Sequence, residues 1–177
     1  SVDADGNYVP NPNGDAMSFL EECIAKMKDY RNQNDSTITV SIRFIVHLVG
    51  DMHCPGHVKF PWYKNFKFTL NDKEYGLHNY WDEWALSLSN KWYYMEYQHQ
   101  LDRCSKKEKR EIGKGTPRDW LTDNARNCNV IYDWTKSGQK LSYEESRDFI
   151  NFSHGLAEKQ VLKAGYRLAA LLNELFG

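Results

Sequence analysis

The residues of this sequence best suited to chemistry are histidines and aspartates that recur at helical spacing. His47 and Asp51 lie four residues apart in an apolar stretch, and His78 and Asp82 repeat that spacing further along the chain. Residues four apart lie one turn apart on the same face of a helix. Because a buried imidazole or carboxylate is costly unless a partner satisfies it, each pair is a candidate pair of metal ligands.

A third histidine lies between the two pairs. Pro55 and Gly56 are expected to end the first helix, and the turn brings His57 back to the same end. Three imidazoles and two carboxylates form a donor set that suits zinc, which takes nitrogen and oxygen ligands at roughly 2.0–2.2 Å. Core histidines satisfied by hydrogen bonds are the alternative. One His-x3-Asp pair is common by chance, whereas two pairs that bracket another histidine are not, so the sequence favours a metal centre.

Composition bounds the class of protein. With 177 residues, 41% of them hydrophobic and 14% aromatic, the chain is long and apolar enough for a globular domain with a core. The formal net charge is −1, which provides no broad basic surface for duplex nucleic acid, so a nucleic-acid substrate would be held locally. We find no membrane-spanning stretch in the sequence. Two disulfides in three connectivities, or none, are possible among Cys23, Cys54, Cys104 and Cys128.

Hydrophobic periodicity predicts mainly helices. We expect a helix over 15–31 and a second one that is capped by Ser36 or Thr37, is buried on every side over 44–49, and carries the first His-Asp pair. Thr116-Pro117 is a typical helix start, and residues 142–145 match a capping box. A last helix is expected over about 153–176. The apolar stripe expected to bury that helix is Val161, Gly165, Leu168, Leu172 and Leu175.

One short stretch alternates as a strand does. Phe66, Phe68 and Leu70 alternate with polar residues before an Asn-Asp turn, which predicts a small β-hairpin between the two metal-bearing helices. The predicted fold class is therefore all-α, a single multi-helix domain over residues 1–177 with one β excursion.

The other histidines suggest no further ligands. His53 lies off the face that carries the first His-Asp pair, so we expect it behind the ligands or on the surface. His99 has no acidic partner at helical spacing and is expected on the surface. His154 lies at the expected start of the last helix and is expected to be exposed.

These motifs resemble the S1/P1 nuclease family of zinc-dependent enzymes, relatives of zinc-dependent phospholipase C. The family pattern is roughly His-Φ-Φ-Gly-Asp-Φ-His-Gln-Pro-Leu-His, then Gly-Gly-Asn, then Asn-Leu-His-x-x-Trp-Asp, where Φ is apolar. Segments 114–120 and 164–173 also look like the family, so the resemblance covers nearly the whole chain and implies a phospholipase C/P1 nuclease-like helical domain. The matching stretches are His47-Leu-Val-Gly-Asp51-Met-His-Cys-Pro55-Gly-His57, Tyr63-Lys-Asn65, and Gly76-Leu-His78-Asn-Tyr-Trp81-Asp82.

The resemblance implies a cluster of up to three zinc ions. The first His-Asp pair would bind one ion, and Asp51 would bridge to a third. The second pair would bind another ion together with His57 from the bend. A zinc-activated water would attack phosphorus, and the sequence does not identify catalytic side chains beyond the ligands. The implied ligands are His47, Asp51, His57, His78 and Asp82.

Three departures from the family pattern affect this expectation. Asn65 is the counterpart of the asparagine that contacts the nucleobase, but Tyr63-Lys64 replaces the glycines before it. Cys54 replaces the family glutamine; we expect it to pack, and an adventitious soft ligand is the alternative. No histidine precedes His47, whereas the family supplies further zinc ligands from its N-terminal part. We therefore expect that segment to be missing from this polypeptide, because it was removed by proteolysis, was not expressed with it, or is carried on another chain.

The function implied is hydrolysis of single-stranded DNA or RNA and of 3′-nucleotides, with 5′-phosphate products. A flexible strand can present one phosphate to a recessed cluster while an aromatic side chain stacks on a base. The resemblance also implies a secreted or periplasmic protein, in which disulfide bonds are expected. Two alternatives stay open, a phospholipase C-like phosphodiesterase and a zinc-binding fragment that is catalytically incomplete.

Overall fold

Helices make up most of the regular structure. The computed structural model describes residues 2–3, 5–58 and 66–177, and leaves four side chains undescribed, those of Tyr94, Cys128, Asn129 and Asp133. A π-helical turn, Tyr80–Trp84, continues α4, and short 3-10 turns cover Tyr30–Asn32 and Tyr94–Glu96. The elements are α1 (Ala16–Lys28), α2 (Asp35–Asp51), α3 (Pro55–Val58), β1 (Lys67–Leu70), β2 (Lys73–Gly76), α4 (Leu77–Asn79), α5 (Tyr97–Leu101), α6 (Lys106–Gly113), α7 (Pro117–Trp134) and α8 (Tyr143–Phe176).

Side-chain caps define where the main helices begin. The expected capping box at Ser142 is present, but it starts the long helix α8, whose beginning we had placed about ten residues later. Thr116 caps α7 with proline in its first turn, as predicted. Helix α2 is capped by Asn34, whose side chain accepts from the Thr37 amide, so the predicted cap was two or three residues late.

The first of two cores, here called the helical core, lies between α1, α2, the first half of α7 and the end of α8. Its fully buried members are Leu20, Met27, Ile45, Val49 and Ala125. The prediction that α2 is buried on every side over 44–49 is wrong, because Phe44 is 40% and Val46 44% exposed. Apolar residues on all faces of a segment do not show which face finds a partner.

The second core is here called the aromatic core. It packs the hairpin and the α4 segment, which is α4 together with the π-helical turn that follows it (residues 77–84), against the first half of α8. Phe68, Tyr80 and Phe149 meet there, with ring centroids 5.3 Å apart between Phe68 and Tyr80 and 5.5 Å apart between Phe68 and Phe149. The buried Tyr80 hydroxyl lies 2.6 Å from Ser153 Oγ. Aromatic edge contacts and this hydrogen bond hold the α4 segment against α8.

The predicted hairpin is present and leads directly into α4. Asn71 and Asp72 have φ values of 47° and 64°, the left-handed pair that a tight two-residue hairpin turn requires. The ladder pairs Phe68 with Tyr75, and the Leu77 amide then donates to the Phe66 carbonyl at 2.9 Å. The position where α4 begins is therefore determined by the register of the hairpin.

Helix α8 is buried differently from the expectation. Leu175 is buried and Leu168 and Leu172 are half-buried against the helical core, but Val161 and Gly165 are exposed. The positions buried in that region are polar, Gln160 and Arg167, and each donates a hydrogen bond to another buried side chain. The described residues contain no helix with both the length and the apolar character needed to cross a membrane.

The structure separates the three histidines outside the expected ligand set. His99 is exposed as predicted. His154 is buried, so the prediction of an exposed side chain is wrong. Its Nδ1 lies 2.6 Å from Ser89 Oγ and its Nε2 lies 2.9 Å from Glu158 Oε1. These polar neighbours offset the cost of removing the imidazole from water. His53 is also buried, behind the site described below.

Replacing Tyr80 by phenylalanine should destabilise the protein. Tyr80→Phe removes a buried hydroxyl and its bond to Ser153, and we expect a loss of about 1 kcal/mol in the free energy of unfolding, measured by urea denaturation. Tyr143→Phe, at a tyrosine that is 77% exposed, is the matched control and should change stability little. Equal stability of the two variants would contradict the role given to this bond.

Candidate metal centre

The last turn of α2 presents the first His-Asp pair to solvent. His47 Nε2 lies 3.2 Å from Asp51 Oδ2, and the imidazole of His47 is 65% exposed. Ile45 and Val49, on the opposite side of the same turns, are fully buried in the helical core. The helix therefore holds the pair on a rigid element while leaving both side chains accessible.

The bend after α2 places His57 between the two carboxylates. The Cys54 amide donates to the Asp51 carbonyl at 3.0 Å, and α3 then begins at Pro55. His57 Nδ1 lies 3.7 Å from Asp51 Oδ1, and His57 Nε2 lies 3.0 Å from Asp82 Oδ1. One imidazole thus connects the two His-Asp pairs, through one nitrogen to each.

A glycine in the bend allows α3 to approach α4 closely. A Cβ on Gly56 would lie 3.3 Å from His78 Cα and 3.4 Å from Trp81 Cβ, so any larger residue would push against the backbone of α4. The rings of His57 and His78 have centroids 4.7 Å apart as a result.

The α4 segment carries the second pair. His78 Nε2 lies 3.4 Å from Asp82 Oδ2, and the helix widens to a π turn in which the Ala85 amide donates to the Tyr80 carbonyl at 2.9 Å. π-helical turns are frequent at functional sites. Because Tyr80 and Trp81 are buried, His78 and Asp82 emerge on the outer side, where the imidazole of His78 is 63% exposed.

The structure thus brings all five expected ligands together in one row, which we call the ligand row. Successive members lie 3.2, 3.7, 3.0 and 3.4 Å apart. Among the described residues, the ion-pair contacts of Asp51 and Asp82 are all with histidines, which can also bind metals. The ligand row runs in the order His47, Asp51, His57, Asp82 and His78. The expected substrate contact, Asn65, lies outside the described residues and stays a prediction.

Cys54 also reaches this cluster. Its Sγ donates to Asp82 Oδ1 at 3.2 Å, and burial together with this hydrogen bond raises the pKa of the thiol. Donor atoms of Cys54, His57 and Asp82 all lie within 4.8 Å of one another. Among the described residues, this is the one set of three or more possible metal ligands that lie so close together. Cys23, Cys54 and Cys104 are free thiols, so the expected disulfides are not found among these three.

Buried polar contacts hold the bend from behind. His53 Nδ1 lies 2.7 Å from the Val49 carbonyl, which can only accept, so Nδ1 carries the proton. Burial lowers the pKa of His53 to about 4, and Arg167 opposes its protonation further. The neutral ring therefore accepts at Nε2 from Arg167 Nη1, 2.9 Å away. Of the two positions expected for His53, the one behind the ligands is correct.

Two neighbouring helices complete this support. Arg167 on α8 also donates from Nη2 to Asp123 Oδ2 at 2.9 Å and from Nε to the Ile112 carbonyl at 3.2 Å. Asn124 on α7 donates to the Met52 carbonyl at 2.9 Å and accepts from Gln160. Our sequence interpretation missed these residues, because the sequence does not distinguish a buried arginine from a solvent-exposed one when its hydrogen-bond partners are distant in the chain.

The fold and the site together define a helical protein with a candidate metal centre of histidines and aspartates on two helices and the bend between them. A family model described as S1/P1 Nuclease matches residues 3–177, and the chain belongs to that family. It is also similar to Endonuclease 1 of Arabidopsis thaliana, with 24% identity over 164 residues that cover 78% of this chain and 50% of the relative. The chain thus spans about half the length of that curated relative. The family and the all-α fold predicted from the sequence are confirmed.

Removing the arginine behind the bend should destabilise the fold strongly. Arg167→Met leaves His53 Nε2 and the Ile112 carbonyl without their donor and Asp123 with one partner fewer. We expect a loss of about 3 kcal/mol in the free energy of unfolding, measured by urea denaturation. Arg110→Met, at an exposed arginine, is the control and should lose little. A loss no larger than that of the control would contradict the supporting role of Arg167.

Proposed function

We propose that this chain forms part of the active site of a zinc-dependent phosphoesterase. Its substrates would be single-stranded nucleic acid and 3′-nucleotides, cleaved to leave 5′-phosphate products. The observation that carries the proposal is the ligand row, in which three imidazoles and two carboxylates alternate at 3.0–3.7 Å. Membership of the S1/P1 nuclease family and the name of the relative, Endonuclease 1, support nucleic acid as the substrate class.

The donor set fits zinc. Zinc accepts imidazole nitrogen and carboxylate oxygen, and two ligands of one tetrahedral ion stand roughly 3.4 Å apart at these bond lengths. The separations in the ligand row lie close to that value. Bound zinc would supply Lewis acidity and neutralise the negative charge of a phosphate group.

Each aspartate offers its two oxygens to different neighbours. Asp51 directs Oδ2 toward His47 and Oδ1 away from His47, on the side of His57, and this use of separate oxygens supports the proposal that Asp51 bridges the first ion and a third. Asp82 directs Oδ1 toward His57 and Oδ2 toward His78, which supports a second ion held by these three residues. The proposed first site contains His47 and Asp51.

The position of the row supports a flexible substrate. His47 and His78 at its ends are well exposed, so a strand could approach from outside. With a formal net charge of −1 the chain offers little general attraction for a duplex, and binding would depend on one phosphate at the metal ions. Asn65 is proposed to contact the base. A single strand bends more easily than a duplex into such a site.

The activity is proposed for the whole protein, since the chain spans about half of Endonuclease 1. Further zinc ligands, on another segment or a separate chain, are part of the proposal, as is a secreted or periplasmic location with disulfide bonds. The second candidate function is zinc binding without hydrolysis. This function is favoured by the small number of ligands at the proposed first site, where the described part of the chain contributes the pair His47 and Asp51.

Replacing one histidine of the row should remove both metal and activity. We expect His78→Ala to lose one bound zinc and to lower hydrolysis of single-stranded DNA by at least about 100-fold, because the second ion loses a ligand. Zinc content and product formation are measured on the same samples, before and after chelation and zinc readdition. His99→Ala, at an exposed histidine outside the row, is the control. Unchanged zinc content and full activity in His78→Ala would contradict the assignment.

The choice of substrate separates the alternatives. The proposal expects 5′-phosphate ends from single-stranded DNA or RNA and release of phosphate from a 3′-nucleotide. Hydrolysis of short-chain lecithin without either reaction would instead support a phospholipase C-like enzyme. Bound zinc with no hydrolysis of any of the three would support the second candidate function.

A further inference from the structure

One thiol lies next to the ligand row, although the predicted ligand set contains no sulfur. Cys54 Sγ is 3.2 Å from Asp82 Oδ1, the same oxygen that His57 Nε2 approaches at 3.0 Å. Around one tetrahedral zinc ion, with a Zn–S bond of about 2.3 Å, sulfur and oxygen ligands stand roughly 3.5 Å apart. The thiol is therefore already near the separation that two ligands of one ion require.

The backbone fixes the thiol in this position. Cys54 follows the end of α2, its amide donates to the Asp51 carbonyl, and its own carbonyl accepts from the His57 amide, both at 3.0 Å. On the other side, the close approach of Gly56 to the backbone of His78 holds the bend against α4. Cys54 and Asp82 thus sit on two elements in direct contact, and no large movement is needed for both to bind one ion.

We propose that Cys54 is a ligand of the second metal ion, together with His57 and Asp82. The inference rests on the proposed metal centre and changes its chemistry, because a thiolate stands where the family pattern has glutamine. The donor atoms of these three residues lie within 4.8 Å of one another, and His78 Nε2 lies 3.4 Å from the other oxygen of Asp82. Such a set favours thiophilic cations more strongly than nitrogen and oxygen donors alone.

Formation of the metal–sulfur bond is balanced by release of one proton. In the structure Sγ donates its hydrogen to Asp82 Oδ1. When the cation binds, this S–H bond breaks, both electrons stay on sulfur and form the bond to the metal, and the proton passes to solvent. Both Asp82 oxygens then become available as metal ligands, and no oxidant or further reactant is required.

Cobalt spectroscopy tests this inference without reference to activity. The 177-residue chain is titrated with Co²⁺, which reports a thiolate ligand by a charge-transfer band in the near ultraviolet and a bound ion by its visible bands. We expect the charge-transfer band in the unaltered chain and in Cys104→Ser, a matched change at another half-buried free cysteine. Cys54→Ser and Cys54→Gln should lose it, and their affinity for Cd²⁺ should fall at least about tenfold.

Protection from alkylation gives a second readout on the unaltered chain. Bound Zn²⁺ should slow the modification of Cys54 by iodoacetamide and leave that of Cys104 unchanged. Equal rates for Cys54 with and without zinc would overturn the inference. So would a charge-transfer band that persists in Cys54→Ser.

The outcomes separate this inference from the proposed function. Visible cobalt bands without a charge-transfer band overturn the role of Cys54 and leave the metal centre standing. A chain that binds no cobalt overturns both. A charge-transfer band that depends on Cys54 supports the inference even if the whole protein hydrolyses no phosphoester, in which case the proposed function alone fails.

Discussion

The site depends on the way the bend after α2 is held from behind. Arg167 reaches across from α8 to His53, and Asn124 reaches from α7 to the Met52 carbonyl. These contacts anchor the residues just before α3, so that His57 lies between Asp51 and Asp82. A buried arginine is stabilising only when its donors are used, and here all three nitrogens have acceptors. The buried polar residues beneath the bend therefore serve to fix the position of the bend.

Rigid support and exposed ligands occur together because each ligand-bearing helix has two sides. In α2, Ile45 and Val49 are buried while His47 points to solvent, and in the α4 segment Tyr80 and Trp81 are buried while His78 does so. The two cores thus hold the backbone of the site without covering the side chains. Sites built in this way are more precise than sites carried by loops.

Features encoded in neighbouring residues were predictable from the sequence. The capping boxes, the hairpin turn and the two His-Asp pairs each depend on residues within about five positions of one another. Two helix starts were predicted too late although their caps are local, and the other errors concern long-range partners. His53 and Arg167 are 114 positions apart, and the burial of His154 depends in part on Ser89, 65 positions away. Periodicity shows which residues are apolar, but not which polar residues find a partner, so these contacts required the structure.

The two departures in the bend are best understood as one structural change. Where the family pattern reads Gln-Pro-Leu, this chain has Cys54, Pro55 and Gly56. Because Gly56 has no side chain, α3 packs closely against α4; a Cβ at Gly56 would lie only 3.3 Å from His78 Cα. Across this contact the short side chain of Cys54 reaches Asp82, with Sγ 3.2 Å from Oδ1. The glycine thus creates the proximity that brings a sulfur atom within reach of the second His-Asp pair.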